Sequence, residues 1–128
     1  MPVRIEAITM DCRDERIVSA FWTTALAYEV EFDQPGDWMV LRDPGGIGPS
    51  IGLQVVPEPK VVKNRVHLDL DVGGGRGTPL EERRRRVEAE TDRLVAAGAT
   101  VFRVLSEDGV DYYAVVMQDP EGNEFCLH

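Results

Sequence analysis

The chain has 128 residues, 43% of them hydrophobic and 29% charged, which is the length and composition of one globular domain. Its 23 Asp and Glu outnumber 14 Lys and Arg, and the formal net charge of −9 argues against binding to nucleic acid or an anionic membrane. The two cysteines, Cys12 and Cys126, lie outside any CxxC or Cys/His cluster, which excludes a disulfide framework and a zinc motif. The N-terminal segment lacks an apolar signal core, so we expect a cytoplasmic protein.

The sequence contains a weak internal repeat, so the same elements are expected twice. One strand is predicted over residues 7–12 and its counterpart over residues 67–72, because both segments alternate between apolar and polar positions. Such alternation gives each strand one face that packs against a helix and one that does not. The packed face is predicted to carry Ile8, Met10, Cys12, Leu68, Leu70 and Val72, and the other face Ala7, Thr9, Asp11, His67, Asp69 and Asp71.

A helix is predicted after each of these strands. Asp14 is placed to cap the first helix. For the second helix, Thr78 is the predicted N-cap, Pro79 the first helical residue and Glu81 the partner in a capping box. Gly98 is the predicted C-terminal stop. The apolar stripe of the first helix is predicted at Ile17, Val18, Phe21, Trp22, Ala25 and Leu26.

Three shorter strands are predicted after each helix, which gives the order βαβββ twice. Similar turns rich in Asp, Pro and Gly recur at residues 43–46 and 119–123. We therefore predict one α+β domain over the whole chain, with module one at 1–57, a linker at 57–64 and module two at 65–128. The shorter strands are predicted at 28–32, 38–42, 51–56, 100–105, 112–117 and 124–127.

Three segments of the sequence are similar to those of a known group of proteins. They are Asp-Cys-Arg-Asp at 11–14 running into Ala-Phe-Trp at 20–22, Lys-Asn-Arg-Val-His-Leu-Asp-Leu at 63–70, and Asp-Pro-Glu-Gly-Asn-Glu-Phe-Cys at 119–126. In these segments the chain resembles the glyoxalase, bleomycin-resistance and extradiol-dioxygenase proteins, the vicinal oxygen chelate superfamily, and within it the small glyoxalase-like domains. One departure is Ala27, where such domains commonly have a glycine.

The resemblance implies two βαβββ modules whose curved, mostly antiparallel sheets form a cup with the helices outside, and a homodimer. Metal-dependent members place one ligand at each of four equivalent positions facing the cup. In this chain those positions correspond to Ala7, to Gly52 or Gln54, to His67 and to Cys126. Only His67 is a usual ligand of that site, so we predict no metal and no other cofactor. The alternative is a divalent metal held by His67, Cys126 and Gln54.

His67 and Asp69 are the candidate catalytic residues, because an imidazole beside a carboxylate can transfer protons near neutral pH. The alternative interpretation is that these residues only form a solvated sheet face. Arg65 is expected to be the one clear cation on this face, where Glu124 adds to the aspartates, so a neutral or cationic ligand is predicted. The candidate ligand-binding residues are Asp11, Arg65, Asp71, Gln54, Trp38, Tyr113 and Cys126.

The predicted function is that of a glyoxalase-like protein with a cup for a small organic molecule. It acts either as a metal-independent enzyme or as a ligand-sequestering protein of the bleomycin-resistance type. The alternative is a metal-dependent lyase, isomerase or dioxygenase that uses His67 and Cys126. A third interpretation is a structural or regulatory module in which dimerisation is the main property.

Overall fold

The computed structural model describes residues 2–128, and these form two compact units that meet in sequence between Lys60 and Val61. The first unit contains β1 (Ala7–Cys12), α1 (Glu15–Leu26), β2 (Glu29–Gln34), β3 (Trp38–Arg42) and β4 (Ser50–Val55). The second contains β5 (Leu68–Leu70), α2 (Leu80–Ala96), β6 (Thr100–Ser106), β7 (Tyr113–Gln118) and β8 (Glu124–Leu127). No helix within residues 2–128 is long and apolar enough to cross a lipid bilayer.

Each unit has one four-stranded sheet, and the two sheets share one topology. The strand orders are β1-β4-β3-β2 and β5-β8-β7-β6. In each sheet the first and last strands of the module are parallel neighbours, and the remaining pairs are antiparallel. The predicted α+β fold of two βαβββ modules is therefore confirmed.

The helix α1 begins as predicted. The Asp14 carboxylate accepts hydrogen bonds from the backbone N–H groups of Arg16 and Ile17, at 3.0 and 3.3 Å. Phe21 and Trp22 are buried and their rings meet edge to face, 5.1 Å apart. The prediction that Ile17 belongs to the packed stripe is wrong, since it is 53% exposed. Ile17 lies in the first turn of the helix, where the neighbouring Val18 is buried instead.

The helix α2 ends as predicted but begins differently. The predicted capping box is absent, because Pro79 has extended backbone angles and the helix starts one residue later, at Leu80. The Thr78 hydroxyl instead donates to the carbonyl of Gly74 at 3.0 Å. At the other end Gly98 has a φ of +119°, which suits glycine, and its N–H donates to a carbonyl of the last turn.

The aspartate turns repeat in structure as well as in sequence. The Asp43 carboxylate accepts from the backbone N–H groups of Gly45, Ile47 and Gly48 at 2.8–3.0 Å. In the second unit, the buried Asp119 carboxylate accepts from the N–H groups of Glu121 and Asn123. An aspartate that gathers backbone donors in this way fixes each loop before the last strand of its module.

Along β1 and β5 the predicted alternation is confirmed, although β5 is shorter than predicted. Ile8, Met10 and Cys12 are less exposed than the residues between them, and so are Leu68 and Leu70. Sheet pairing in β5 covers only residues 68–70, because just three residue pairs join it to β8. Each sheet thus has one face covered by its helix and one face without a helix, which we call the open face.

Candidate functional site

The open face of the second sheet brings together the two candidate catalytic residues. His67 lies immediately before β5 and Asp69 within it, two positions apart and therefore on one side of the strand. The Nε2 atom of His67 is 3.1 Å from Oδ1 of Asp69, and both side chains are about half exposed. The contact places an imidazole, which can exchange a proton near neutral pH, beside a carboxylate.

Cys126 lies beside Asp69, its register partner on the parallel strand β8. Cys126 as a whole is only 5% exposed, so its side chain is buried. Burial raises the pKa of the Cys126 thiol, and the negative charge of Asp69 raises it further. Cys126 is therefore a protonated, weakly polar contact rather than a thiolate nucleophile.

Tyr112 lies in the same environment as Cys126 and Asp69. The sequence analysis did not select this residue. Burial raises the pKa of its hydroxyl, and the charges of Cys126 and Asp69 raise it further. The selected residue, Tyr113, lies on the helix-covered face, where its hydroxyl donates to Glu88 of α2 at 3.2 Å. The alternation along β7 separates the two tyrosines, and the register of Val116 opposite Cys126 identifies Tyr112 as the one on the open face.

The expectation that Arg65 is the one clear cation of this face is wrong. Arg103 pairs with Val116, which pairs with Cys126, so all three side chains project from the open face. Arg65 lies outside β5 and is exposed. Sequence reasoning missed Arg103 because the register of β6 shifts just before it. Such a bulge reverses the face of every later residue in the strand.

Glu124, expected on this face, has a structural role. It is 8% exposed, and its carboxylate accepts a hydrogen bond from the backbone N–H of Asn64 at 3.0 Å. This contact attaches the segment that leads into β5 to the last strand of the same unit. Asp71, by contrast, is exposed just beyond β5.

The open face of the first sheet is centred on Gly52. Gly52 pairs with Thr9 as Cys126 pairs with Asp69, so Gly52 occupies the position equivalent to Cys126. A Cβ atom on Gly52 would come within 2.6 Å of the Thr9 hydroxyl and 2.8 Å of the Trp38 ring. Trp38 therefore lies across the glycine, an approach that a larger residue would block.

Two further candidates lie on the same side of β1 and β4. Gln54 pairs in register with Asp11 and Trp38, and its amide donates to the carbonyl of Asp37 at 3.0 Å. Asp11 is exposed. The first sheet thus offers an aromatic ring, an amide and one carboxylate.

A family model for the glyoxalase-like domain matches residues 7–128, nearly the whole chain. The chain belongs to the glyoxalase-like domain family. The resemblance to the vicinal oxygen chelate superfamily is thereby confirmed. No curated protein matches the sequence significantly.

Several solved structures have the same fold as this glyoxalase-like chain. A glyoxalase/bleomycin resistance protein/dioxygenase family enzyme from Burkholderia phytofirmans is 22% identical, with a TM-score of 0.71 over 98% of this chain and 97% of that one. A mutant of the fosfomycin resistance protein FosX from Listeria monocytogenes, complexed with Mn(II) and 1S,2S-dihydroxypropylphosphonic acid, is 16% identical, with a TM-score of 0.73 over 100% and 90%. A lactoylglutathione lyase from Agrobacterium tumefaciens is 16% identical, with a TM-score of 0.66 over 98% and 92%.

The donor set of this glyoxalase-like chain does not fit the metal of the superfamily. Two of the four equivalent positions, Ala7 and Gly52, have side chains with no donor atom. The Nε2 of His67 is already directed at Asp69, and the raised pKa of Cys126 disfavours the thiolate that a metal needs. Within residues 2–128 no three His, Cys, Asp or Glu side chains are grouped closely enough to hold an ion.

Proposed function

We propose that the chain binds a small neutral or cationic organic molecule against its open sheet faces, without the divalent metal of the superfamily. His67, oriented by Asp69, is the group that exchanges a proton with the ligand. The observation that carries this proposal is the 3.1 Å contact between the imidazole and the carboxylate on the face of the second sheet that has no helix. Both the enzymatic and the sequestering form of this function use the same contacts.

The charge preference follows from acidic residues on the open face of each sheet. Asp69 and Asp71 lie on or beside β5, and Asp11 has the equivalent place on β1. Arg103 offsets part of this charge at the far edge of the second sheet. The remaining negative potential, in a protein of net charge −9, favours cations and disfavours phosphorylated ligands.

The proposed contact residues are those predicted from the sequence, except that Tyr112 takes the place of Tyr113. Tyr112 and Cys126 give the second sheet an apolar surface next to the His67–Asp69 pair. Trp38, Gln54 and Asp11 are the proposed contacts on the first sheet, and Arg65 and Asp71 lie on either side of the His67–Asp69 pair in sequence.

A cytoplasmic homodimer is part of the proposal. Both β2 and β6 are sheet edges with exposed apolar residues, among them Phe32 and Phe102. Open edges of this kind are commonly covered by a second subunit. Light scattering at high micromolar concentration measures whether the chain is dimeric.

Three probes that share a benzyl group test the charge preference: benzyltrimethylammonium, benzyl alcohol and benzyl phosphate, in thermal-shift assays at low and high salt. We expect the first to raise the melting temperature most, with an effect that salt weakens. Asp69→Asn should remove at least about half of that shift because it removes the nearest charge. Asp92→Asn, an exposed carboxylate on α2, makes the same charge change elsewhere and should leave the shift intact. Preference for benzyl phosphate, or equal loss in both variants, would refute the proposal.

A further inference from the structure

A second feature of the second unit is a cleft of about 490 Å³ beside the start of α2. It lies between the glycine-rich segment that follows β5 and the segment that precedes β7. This volume is within the range of about 300–1,000 Å³ that ligand pockets occupy. Its polar and aromatic lining includes Asp71, Arg76, Arg83, Asp111, Tyr112 and Tyr113.

One wall of the cleft is fixed by an ion pair. The Arg83 side chain is 14% exposed and pairs with Asp111, while its Nε donates to the carbonyl of Thr78 at 2.9 Å. Its stem packs against Gly73, where an added Cβ would be 3.2 Å from Cγ of Arg83. The charges of this wall cancel each other, so Arg83 and Asp111 give the cleft shape rather than net charge.

The other two charged residues of the cleft have no such partner. Neither Asp71 nor Arg76 forms an ion pair or a side-chain hydrogen bond with any of residues 2–128. Both line the same space, together with the ring of Tyr112, which is 43% exposed. Besides the Arg83–Asp111 pair, the cleft thus presents the Asp71 carboxylate, the Arg76 guanidinium, His128 and an aromatic wall.

We propose that this cleft binds a small zwitterion with an aromatic body, of the kind that an aromatic amino acid represents. Arg76 binds its carboxylate, Asp71 binds its ammonium group, and Tyr112 packs against its ring. A simple anion would leave Asp71 facing a like charge, and a simple cation would leave Arg76 in the same position. A ligand with both charges can pair with both residues at once. The inference shares Asp71 and Tyr112 with the proposed function but needs neither His67 nor Asp69, so a variant of His67 distinguishes the two.

Isothermal titration calorimetry with three related probes tests the inference: L-phenylalanine, phenethylamine, which lacks the carboxylate, and 3-phenylpropanoate, which lacks the ammonium group. We expect L-phenylalanine to bind about tenfold more tightly than either of the others. Arg76→Gln should reduce its affinity to about that of phenethylamine, and Asp71→Asn to about that of 3-phenylpropanoate.

Two controls separate this site from the open face. His67→Gln should leave the affinity for L-phenylalanine within about twofold of wild type, and so should Asp92→Asn. The inference is overturned if L-phenylalanine shows no saturable binding up to about 10 mM, or if it binds no better than phenethylamine. Loss of L-phenylalanine binding in His67→Gln would also overturn it, because the ligand would then bind at the His67–Asp69 pair.

Discussion

Ala27 has the least favourable backbone conformation of any non-glycine residue that the structure describes. It ends α1 with φ 54° and ψ 38°, the left-handed region in which a Cβ atom approaches the following carbonyl. The fold needs this conformation to turn the chain from α1 into β2. The sequence analysis had already identified Ala27 as a departure, since such domains commonly have glycine at this position.

Replacing Ala27 by Gly is therefore expected to stabilise the protein. The free energy of unfolding should rise by about 0.5–1 kcal/mol, because the relief of strain exceeds the added entropy of the unfolded chain. Urea unfolding followed by circular dichroism measures it. Ala25→Gly, inside the same helix, is the matched control and should lower stability by about 1 kcal/mol. A loss of stability in Ala27→Gly would contradict this account of the turn.

Individual site residues were predictable where local alternation determines the face. His67 and Asp69 are two apart, so their shared face follows from strand geometry alone. Their contact does not follow from it, because rotamers depend on neighbours. Arg103 was not predictable, since the bulge that places it on the open face leaves no mark in the pattern of apolar residues.

At the level of elements, the turn that contains Asp43 makes stability depend on pH. Hydrogen bonds from the N–H groups of Gly48, Gly45 and Ile47 hold the pKa of Asp43 below its ordinary value of 3.8. The carboxylate therefore stabilises the fold fully at pH values above 3.8. Its contribution is lost as the pH falls from there through the lower pKa of the folded state.

We predict that acidification from pH 5 to about pH 2.5 lowers the melting temperature of Asp43→Asn less than that of wild type. Calorimetry measures both melting temperatures. At pH 7 the variant should be less stable, because a neutral amide is a weaker acceptor than a carboxylate. Glu107→Gln, an exposed carboxylate, is the control and should follow the wild-type curve. Parallel curves for Asp43→Asn and wild type would show that the carboxylate is not held in its charged form.

The elements themselves were largely predictable, and their ends less so. Helices and strands followed from apolar periodicity, while the start of α2 did not, because Pro79 permits both helical entry and an extended approach. The motifs rich in Asp, Pro and Gly correctly indicated both turns, since the aspartate of each turn, Asp43 or Asp119, accepts hydrogen bonds from several backbone N–H groups. β5 is shorter than predicted because pairing, which alternation does not specify, ends at Leu70.

At the level of the whole molecule, the repeat in the sequence predicted two modules of the same kind, and the structure has two sheets of one topology. The equivalence of positions in the two sheets then decides the chemistry. The side chains of Ala7 and Gly52 have no metal-donor atom, whereas those of His67 and Cys126, at the equivalent positions, have one. The two halves of the repeat therefore differ in their capacity to bind a metal. This asymmetry is the basis for our proposal of a function without the superfamily's metal.

Elemental analysis of the purified protein after equilibration with Mn(II), Ni(II), Fe(II) and Zn(II) and removal of free ions tests this claim most directly. The account predicts well under about 0.1 bound ion per chain, and a melting temperature that a chelator does not change. The control is His67→Gln, which should give the same metal content and the same response to the chelator. A content of about one ion per chain that is lost in His67→Gln would contradict the account and favour a metal-dependent enzyme.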